Sequence, residues 1–294
     1  MEQLTLFTNL LIDGVTTGCL YALAGIGFSL LWWLADVVHL AHGGVIIAAG
    51  YAGYMVITKL GAPLWVALVA ATLTAVILGV LIERLAYHRL AKRGSGEMGM
   101  LTASLGLLIC LEYAVTVFFG PEGVQVDAGS ARVPFFPGSG VLLDPYTLAV
   151  AGCTAAVFAG LAFLMRYSQL GKSMRAVAEN PSLAHSLGIK TLTVTTAASA
   201  LAAAAGAPAA LVYLYSRGVT PHDAIHIALM GAIVAIFGGR GSIAGALIAA
   251  LVIGVAESVM VWFFDAGWRE VMIFGLLYIL LLVRPEGLLG TRSL

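Results

Sequence analysis

Apolar stretches long enough to cross a bilayer follow one another along this chain with only short breaks between them. A helix needs about 20 apolar residues to span the hydrocarbon core. Such runs read at about residues 10–33, 42–58, 63–84, 99–119, 145–165, 192–216, 225–238, 242–264 and 267–283. Lipid offers no water to an open peptide group, so each run must satisfy its own backbone as a helix. Composition agrees: 61% of residues are hydrophobic and only 10% are charged, against about 25% charged in a soluble domain. The expectation is an all-α, polytopic transmembrane protein of about eight or nine segments, forming one domain over residues 1–294. The runs at 42–58 and 225–238 are short. They, and the stretches 34–44 and 225–240 around them, are candidates for half-helices or re-entrant segments buried in protein.

One stretch cannot follow its neighbours into lipid. Residues 168–190, SQLGKSMRAVAENPSLAHSLGIK, carry Lys172, Arg175, Glu179 and Lys190, with Arg166 just before. Each charge at mid-bilayer costs about 2.5–3.5 kcal/mol, so four cost on the order of 10 kcal/mol. The segment lies outside the membrane, and its Lys/Arg excess places it on the cytoplasmic side. The pattern predicts two short helices. Met174, Val177 and Ala178 share one face of the first. Asn180 suits the N-cap of the second, Pro181 its first position, and Gly188 the left-handed residue that ends it. A compact elbow of this kind suits docking by a partner; the plainer reading is an ordinary loop.

The other basic clusters set the orientation. Arg84, Arg89, Lys92 and Arg93 follow the third run, and Arg284 and Arg292 follow the last. These mark the cytoplasmic face, which places the C-terminus inside and the N-terminus outside. The loop 120–144, with Glu122, Asp127 and Asp144 against Arg132, is then periplasmic. No Lys or Arg precedes the first run, which makes it a poor signal peptide. The net charge of zero gives no indication of nucleic-acid binding. Cys19, Cys110 and Cys153 all fall in apolar runs without metal spacing and read as packing residues.

Polar groups inside apolar runs are the site candidates. Glu112 and Glu257 are intramembrane acids, costly unless paired, protonated or facing a cavity; Glu257 lies nearer the outer end of its run. Asp36, His39 and His42 recur every three residues. They could share a helix face and hold a metal, line a path at a broken helix, or be solvated in a turn; His-x-x-His alone is weak evidence for a metal. Small residues at Gly14, Gly18, Ala22 and Gly25, at Ala49 and Gly53, and at Gly241, Gly245 and Ala249 allow close helix approach. Gly171-Lys172-Ser173 imitates the end of a phosphate-binding loop, but Arg166 stands where its first glycine belongs. No catalytic motif is visible, and the chain reads as a non-enzyme.

Several segments, taken in order, resemble the permease subunits of branched-chain amino acid ATP-binding cassette importers. Gly18-Cys19-Leu20-Tyr21-Ala22-Leu23 opens the likeness, and Val38-His39-Leu40-Ala41-His42-Gly43 continues it. Thr102-Ala103-Ser104-Leu105-Gly106 with Glu112, and Phe119-Gly120-Pro121, come next. Arg175-Ala176-Val177-Ala178-Glu179-Asn180-Pro181 with Gly188-Ile189 is similar to the family's coupling segment. Gly238-Gly239-Arg240-Gly241-Ser242-Ile243-Ala244-Gly245 and Arg284-Pro285-Glu286-Gly287-Leu288-Leu289-Gly290 close the match. His39 stands where the family usually has Asn, and Ala244 where it usually has Pro.

The resemblance implies a bacterial inner-membrane permease that pairs with a second, related permease as a heterodimer. Two ATPase subunits would receive the elbows, with Arg175, Ala178, Glu179, Asn180, Pro181 and Gly188 as the coupling residues. A periplasmic binding protein would deliver substrate. ATP and Mg²⁺ would be held by the ATPases, and this chain needs no cofactor or metal. The substrate would be a branched-chain or related small amino acid, with urea, amides or small carboxylates as alternatives. Tyr21, His39, His42, Ser104 and Glu112 are the candidate path residues. A stand-alone channel or ion-coupled carrier using Glu112 and Glu257 is the competing class.

Overall fold

The computed structural model describes residues 2–35, 38–126, 133–134, 142–143, 145–264 and 266–290. Asp36, Asp127, Arg132, Asp144 and Arg292 lie outside the described residues.

Twelve α-helices account for nearly all the described chain: α1 (Glu2–Ala35), α2 (Ala41–Leu60), α3 (Leu64–Ile82), α4 (His88–Lys92), α5 (Glu97–Phe119), α6 (Pro145–Tyr167), α7 (Gln169–Glu179), α8 (Pro181–Ser186), α9 (Thr191–Ser216), α10 (Asp223–Gly238), α11 (Ile243–Phe263) and α12 (Arg269–Val283). One π-helical turn, Glu83–Tyr87, carries α3 without interruption into α4. A two-residue pairing of Val133–Pro134 with Leu142–Leu143 is the described sheet. Seven helices are long and apolar enough to cross a membrane. The run at 42–58 is not a half-helix: it extends at both ends into the unbroken, 20-residue α2. Residues 225–238 do form a short helix, the 16-residue α10, and α12 has 15 residues. The chain reaches α10 through an extended segment. There Val124 and Val219 exchange backbone hydrogen bonds of 2.8 and 2.9 Å, and Tyr51 donates to the Val219 carbonyl at 3.2 Å.

α1 is the central column. It and α9 are buried along most of their length, whereas α5 and α6 are largely peripheral. Between helices in lipid, association rests on van der Waals packing rather than on water release, so small residues sit where axes come close. Gly18 of α1 and Gly254 of α11 meet backbone to backbone: a Cβ on Gly254 would stand 2.5 Å from the Gly18 Cα. Gly14 faces Val255 and Ser258, and Gly25 faces Val234 of α10. The spaced small residues of α1 are therefore contact points, Gly14 and Gly18 for α11 and Gly25 for α10. Of the three cysteines, Cys19 is in the core, but Cys110 is exposed on α5, so packing does not account for it.

The two late glycine-rich motifs meet each other. Gly239 and Gly241 take positive φ (92° and 78°) in the turn between α10 and α11, and Ser242 caps α11 by accepting from the Gly245 amide at 2.9 Å. The segment after α12 folds back onto this turn. Leu288 and Leu289 donate to the carbonyls of Phe237 and Gly238 at 2.8 and 3.2 Å. A Cβ on Gly287 would lie 2.5 Å from Gly239.

Replacing Gly254 by leucine should lower stability by about 1–3 kcal/mol or more, because overpacking here drives side-chain atoms into backbone. The check is the thermal unfolding midpoint in detergent. Gly160→Ala on α6, where a Cβ meets open space, should be neutral or stabilising by up to about 1 kcal/mol.

Candidate functional site

The elbow is built as its residues dictate. Ser168 caps α7, its hydroxyl accepting from the Gly171 amide at 2.9 Å. Gly171 lies so close to α6 that a Cβ would run into the Met165 backbone. Arg175 reaches back and donates to the same Met165 carbonyl. Gly171, Met174 and Val177 form the buried face of α7; Ala178, expected there, is only half-buried. Asn180 then ends α7 and caps α8, accepting from the Leu183 amide at 2.9 Å, with Pro181 at N1. Gly188 follows with φ of 85°, and the Ile189 amide donates to the Ala184 carbonyl at 3.0 Å. Gly171-Lys172-Ser173 is the first part of a helix, not a phosphate loop. Glu179, Asn180, Pro181 and Gly188 are exposed, and so are Leu183 (57%) and Leu187 (73%). Two apolar side chains one helical turn apart, open to solvent on a short charged elbow, suit a protein partner.

The break between α1 and α2 gathers three of the predicted path residues. The first turn of α2 is wedged among four helices, α1, α5, α9 and α10. Ala41 donates its amide to the Ser104 hydroxyl of α5 at 3.0 Å, which supplies an acceptor to an otherwise open helix start. The His42 ring lies against Gly27 of α1 and Gly206 of α9, where no side chain could fit. Gly43 packs on Ala224 and Ala228 of α10, and Gly44 on Leu111 of α5. The His42 Nε2 is buried and has no hydrogen-bond partner. His39 pairs through Nδ1 with the Tyr87 hydroxyl at 2.5 Å, and its ring lies 5.9 Å from that of His42. Among the described residues no group of three or more His, Cys, Asp or Glu could hold a metal.

The intramembrane acids are both paired. Glu257, near the end of α11, is 4% exposed, held between α1 and α12. Tyr21 donates to its Oε2 at 2.7 Å, and Arg269 lies 3.5 Å from Oε1. Glu257 and Arg269 line a cavity of about 390 Å³ together with Asp13, Arg217 and Tyr146. Glu112 meets His222, the residue before α10, at 2.6 Å; His222 is 63% exposed and Glu112 12%.

The five predicted path residues thus fall in three places. His39, His42 and Ser104 sit together at the α1–α2 break; Tyr21 belongs with Glu257; Glu112 belongs with His222. Tyr21, His42 and Ser104 are enclosed by packing. Sequence reading missed Tyr87, His222, Arg269 and Glu83, whose roles come from contacts between distant segments. Only Leu183 and Leu187 carried a local signal, an apolar pair in an otherwise polar elbow.

Fold and site together define a polytopic membrane protein with Glu257 paired inside its bundle, Glu112 paired with His222 on one face, and a capped helical elbow packed on α6. The model of the family described as "Branched-chain amino acid transport system / permease component" matches residues 10–282, and the chain belongs to that family. It is 29% identical to the high-affinity branched-chain amino acid transport system permease protein LivH of Salmonella typhimurium, over 98% of this chain and 97% of that one. It is likewise 29% identical to BraD of Pseudomonas aeruginosa, over 99% and 98%. A probable LivH of Methanocaldococcus jannaschii is 24% identical over 99% and 91%. A solved chain of PsaBC from Streptococcus pneumoniae shares the fold, with a TM-score of 0.52 and 13% identity over 95% of this chain and 91% of that one.

Tyr21→Phe removes a hydrogen bond from a buried carboxylate and should destabilise the fold by about 1–3 kcal/mol. Thermal unfolding of the purified chain measures it.

Proposed function

We propose that this chain is one of two permeases in an ATP-driven importer of branched-chain or related small amino acids. It lies in a bacterial inner membrane with its N-terminus outside and its C-terminus and elbow in the cytoplasm. The carrying observation is the elbow. It is capped, tied to α6 through Met165, and exposed at the residues an ATPase would grip. Arg175 and Gly188 fix its shape, whereas Glu179, Asn180, Pro181, Leu183 and Leu187 present its contact face. Ala178 sits between the two. Because the elbow is rigid, closure of two ATPases beneath it would swing it as a unit and switch the bundle between two packed arrangements. Hydrolysis belongs to those partners, which hold ATP and Mg²⁺; this chain supplies the lever and half of the path.

A second permease covers the face formed by α5 and α10. His222 and Glu112 stand there together with exposed Ile109, Tyr113, Ile225 and Leu229. An acid within a spanning helix, paired with an exposed histidine at the start of α10, is costly against lipid and marks a bundle interior or a watery passage. The path therefore runs along this face, between the two permeases, with Glu112 on its wall. His39, His42 and Ser104 support the α2 start behind that wall, and Tyr21 holds Glu257 away from it. A related, non-identical permease as the partner and a periplasmic binding protein at the outer face complete the assembly.

Proteoliposomes containing the two permeases and two ATPases, supplied with binding protein and ATP, should accumulate leucine, isoleucine or valine. Uptake of urea, an amide or a short carboxylate instead would redirect the substrate assignment. Accumulation by this chain alone under an ion gradient would replace the reading with a carrier. Glu179→Lys and Leu183→Asp should each abolish ATP-driven uptake while leaving membrane insertion and the unfolding midpoint unchanged. Normal uptake by both variants would end the coupling assignment.

A further inference from the structure

Behind the elbow lies a cavity of about 470 Å³ that the transport reading leaves unused. Its walls come from parts that must move relative to one another. Val177, Ala178, Glu179 and Pro181 belong to the elbow, Leu192 and Thr195 to the start of α9, and Leu31 and Leu34 to the end of α1. The remaining wall is the π-helical turn, with Glu83 and Tyr87. Tyr87 is bonded in turn to His39 at the α1–α2 break. The cavity is thus the joint where the lever, the break and the central column meet.

Its chemistry is specific. Glu83 is 7% exposed; Thr195 and His88 line the cavity with it, and the Thr195 hydroxyl donates to the Leu192 carbonyl at 3.3 Å. Neither is a permanent cation, and among the residues lining the cavity there is no Lys or Arg. Glu179 adds a second carboxylate at the rim. Leu31, Leu34, Val177 and Leu192 supply apolar surface. A buried carboxylate without a fixed counter-charge, set in an apolar pocket, is matched by an ammonium group on an apolar body. A wide π turn within a helix is itself often found at functional sites, and here it carries both Glu83 and Tyr87.

We propose that this cavity is a cytoplasm-facing regulatory site for a small molecule bearing a protonated amine on an apolar body, held through Glu83. A ligand seated there touches the elbow, α9 and α1 at once and binds only while the three keep their present spacing. It shifts the bundle toward that arrangement by its differential affinity for the two states, and so slows cycling. The regulatory consequence rests on the importer reading; the binding does not. A free amine and the imported amino acid share this chemistry, so both are probes.

The complete importer in nanodiscs, without binding protein, is titrated with isoamylamine, leucine and isocaproate while ATP hydrolysis and the unfolding midpoint are followed. Isoamylamine should raise the midpoint saturably and slow hydrolysis by about fivefold or more, the low end of usual coupling between sites. Isocaproate, which lacks the amine, should do neither. An equal response to leucine identifies the transported product as the ligand; response to isoamylamine alone identifies a simple amine. Glu83→Gln should keep the unliganded hydrolysis rate and lose both responses. Ala91→Phe, which fills the cavity from α4 without touching Glu83, should lose them as well. No saturable midpoint shift with either amine, or full inhibition in both variants, overturns the site. Uptake of leucine by the unmodified importer is scored separately, so a failed site and a failed importer assignment are told apart.

Discussion

The fold depends on how closely α1 can approach its neighbours. Helices in lipid gain little from hiding apolar surface, because lipid is as apolar as a side chain, so contact area must come from shape. Gly18 against Gly254 sets the spacing of α1 and α11. Gly27 and Gly206 set the spacing that lets the His42 ring lie between α1 and α9. Once these distances are fixed, the start of α2 has one place to go, and its open amide meets Ser104 there. The elbow follows, because α6 and α9 flank it and Gly171 brings α7 down onto Met165.

Much of this was legible in the sequence, and the limit of legibility has a physical origin. Helix starts and stops are written locally. Asn180-Pro181 marked a cap and Gly188 a left-handed stop, since each acts within a few residues of itself. The run at 42–58 misled because Ala41 before it and Lys59-Leu60 after it belong to the same helix, whose start packs among four neighbours. Pairings between helices left no local trace. Nothing near Glu257 announces Tyr21, and nothing near Glu112 announces His222. The cost of an unpaired charge in lipid predicts that a partner exists, but only the three-dimensional packing says which one. The π turn was equally silent, because Glu83–Tyr87 reads as ordinary helix.

The polar groups of the bundle fall into separate roles once their partners are known. Glu257 with Tyr21 and Arg269 is an internal tie between α1, α11 and α12. Glu112 with His222 lies on a face that looks outward from the single chain. His39 with Tyr87 links the α1–α2 break to the π turn. These three pairings lie on different helices and share no side chain.

The segment after α12 has a consequence for biogenesis. The carbonyls of Phe237 and Gly238 end α10, and among the described residues their donors are Leu288 and Leu289. During synthesis the α10–α11 turn forms before those residues leave the ribosome. Until then these two acceptors stand open, and the turn is held by the bonds of Ser242 to Gly239 and Gly245. A nascent chain arrested within α12 would thus expose an unlatched hairpin to quality-control proteases, while a finished one would carry its own seal.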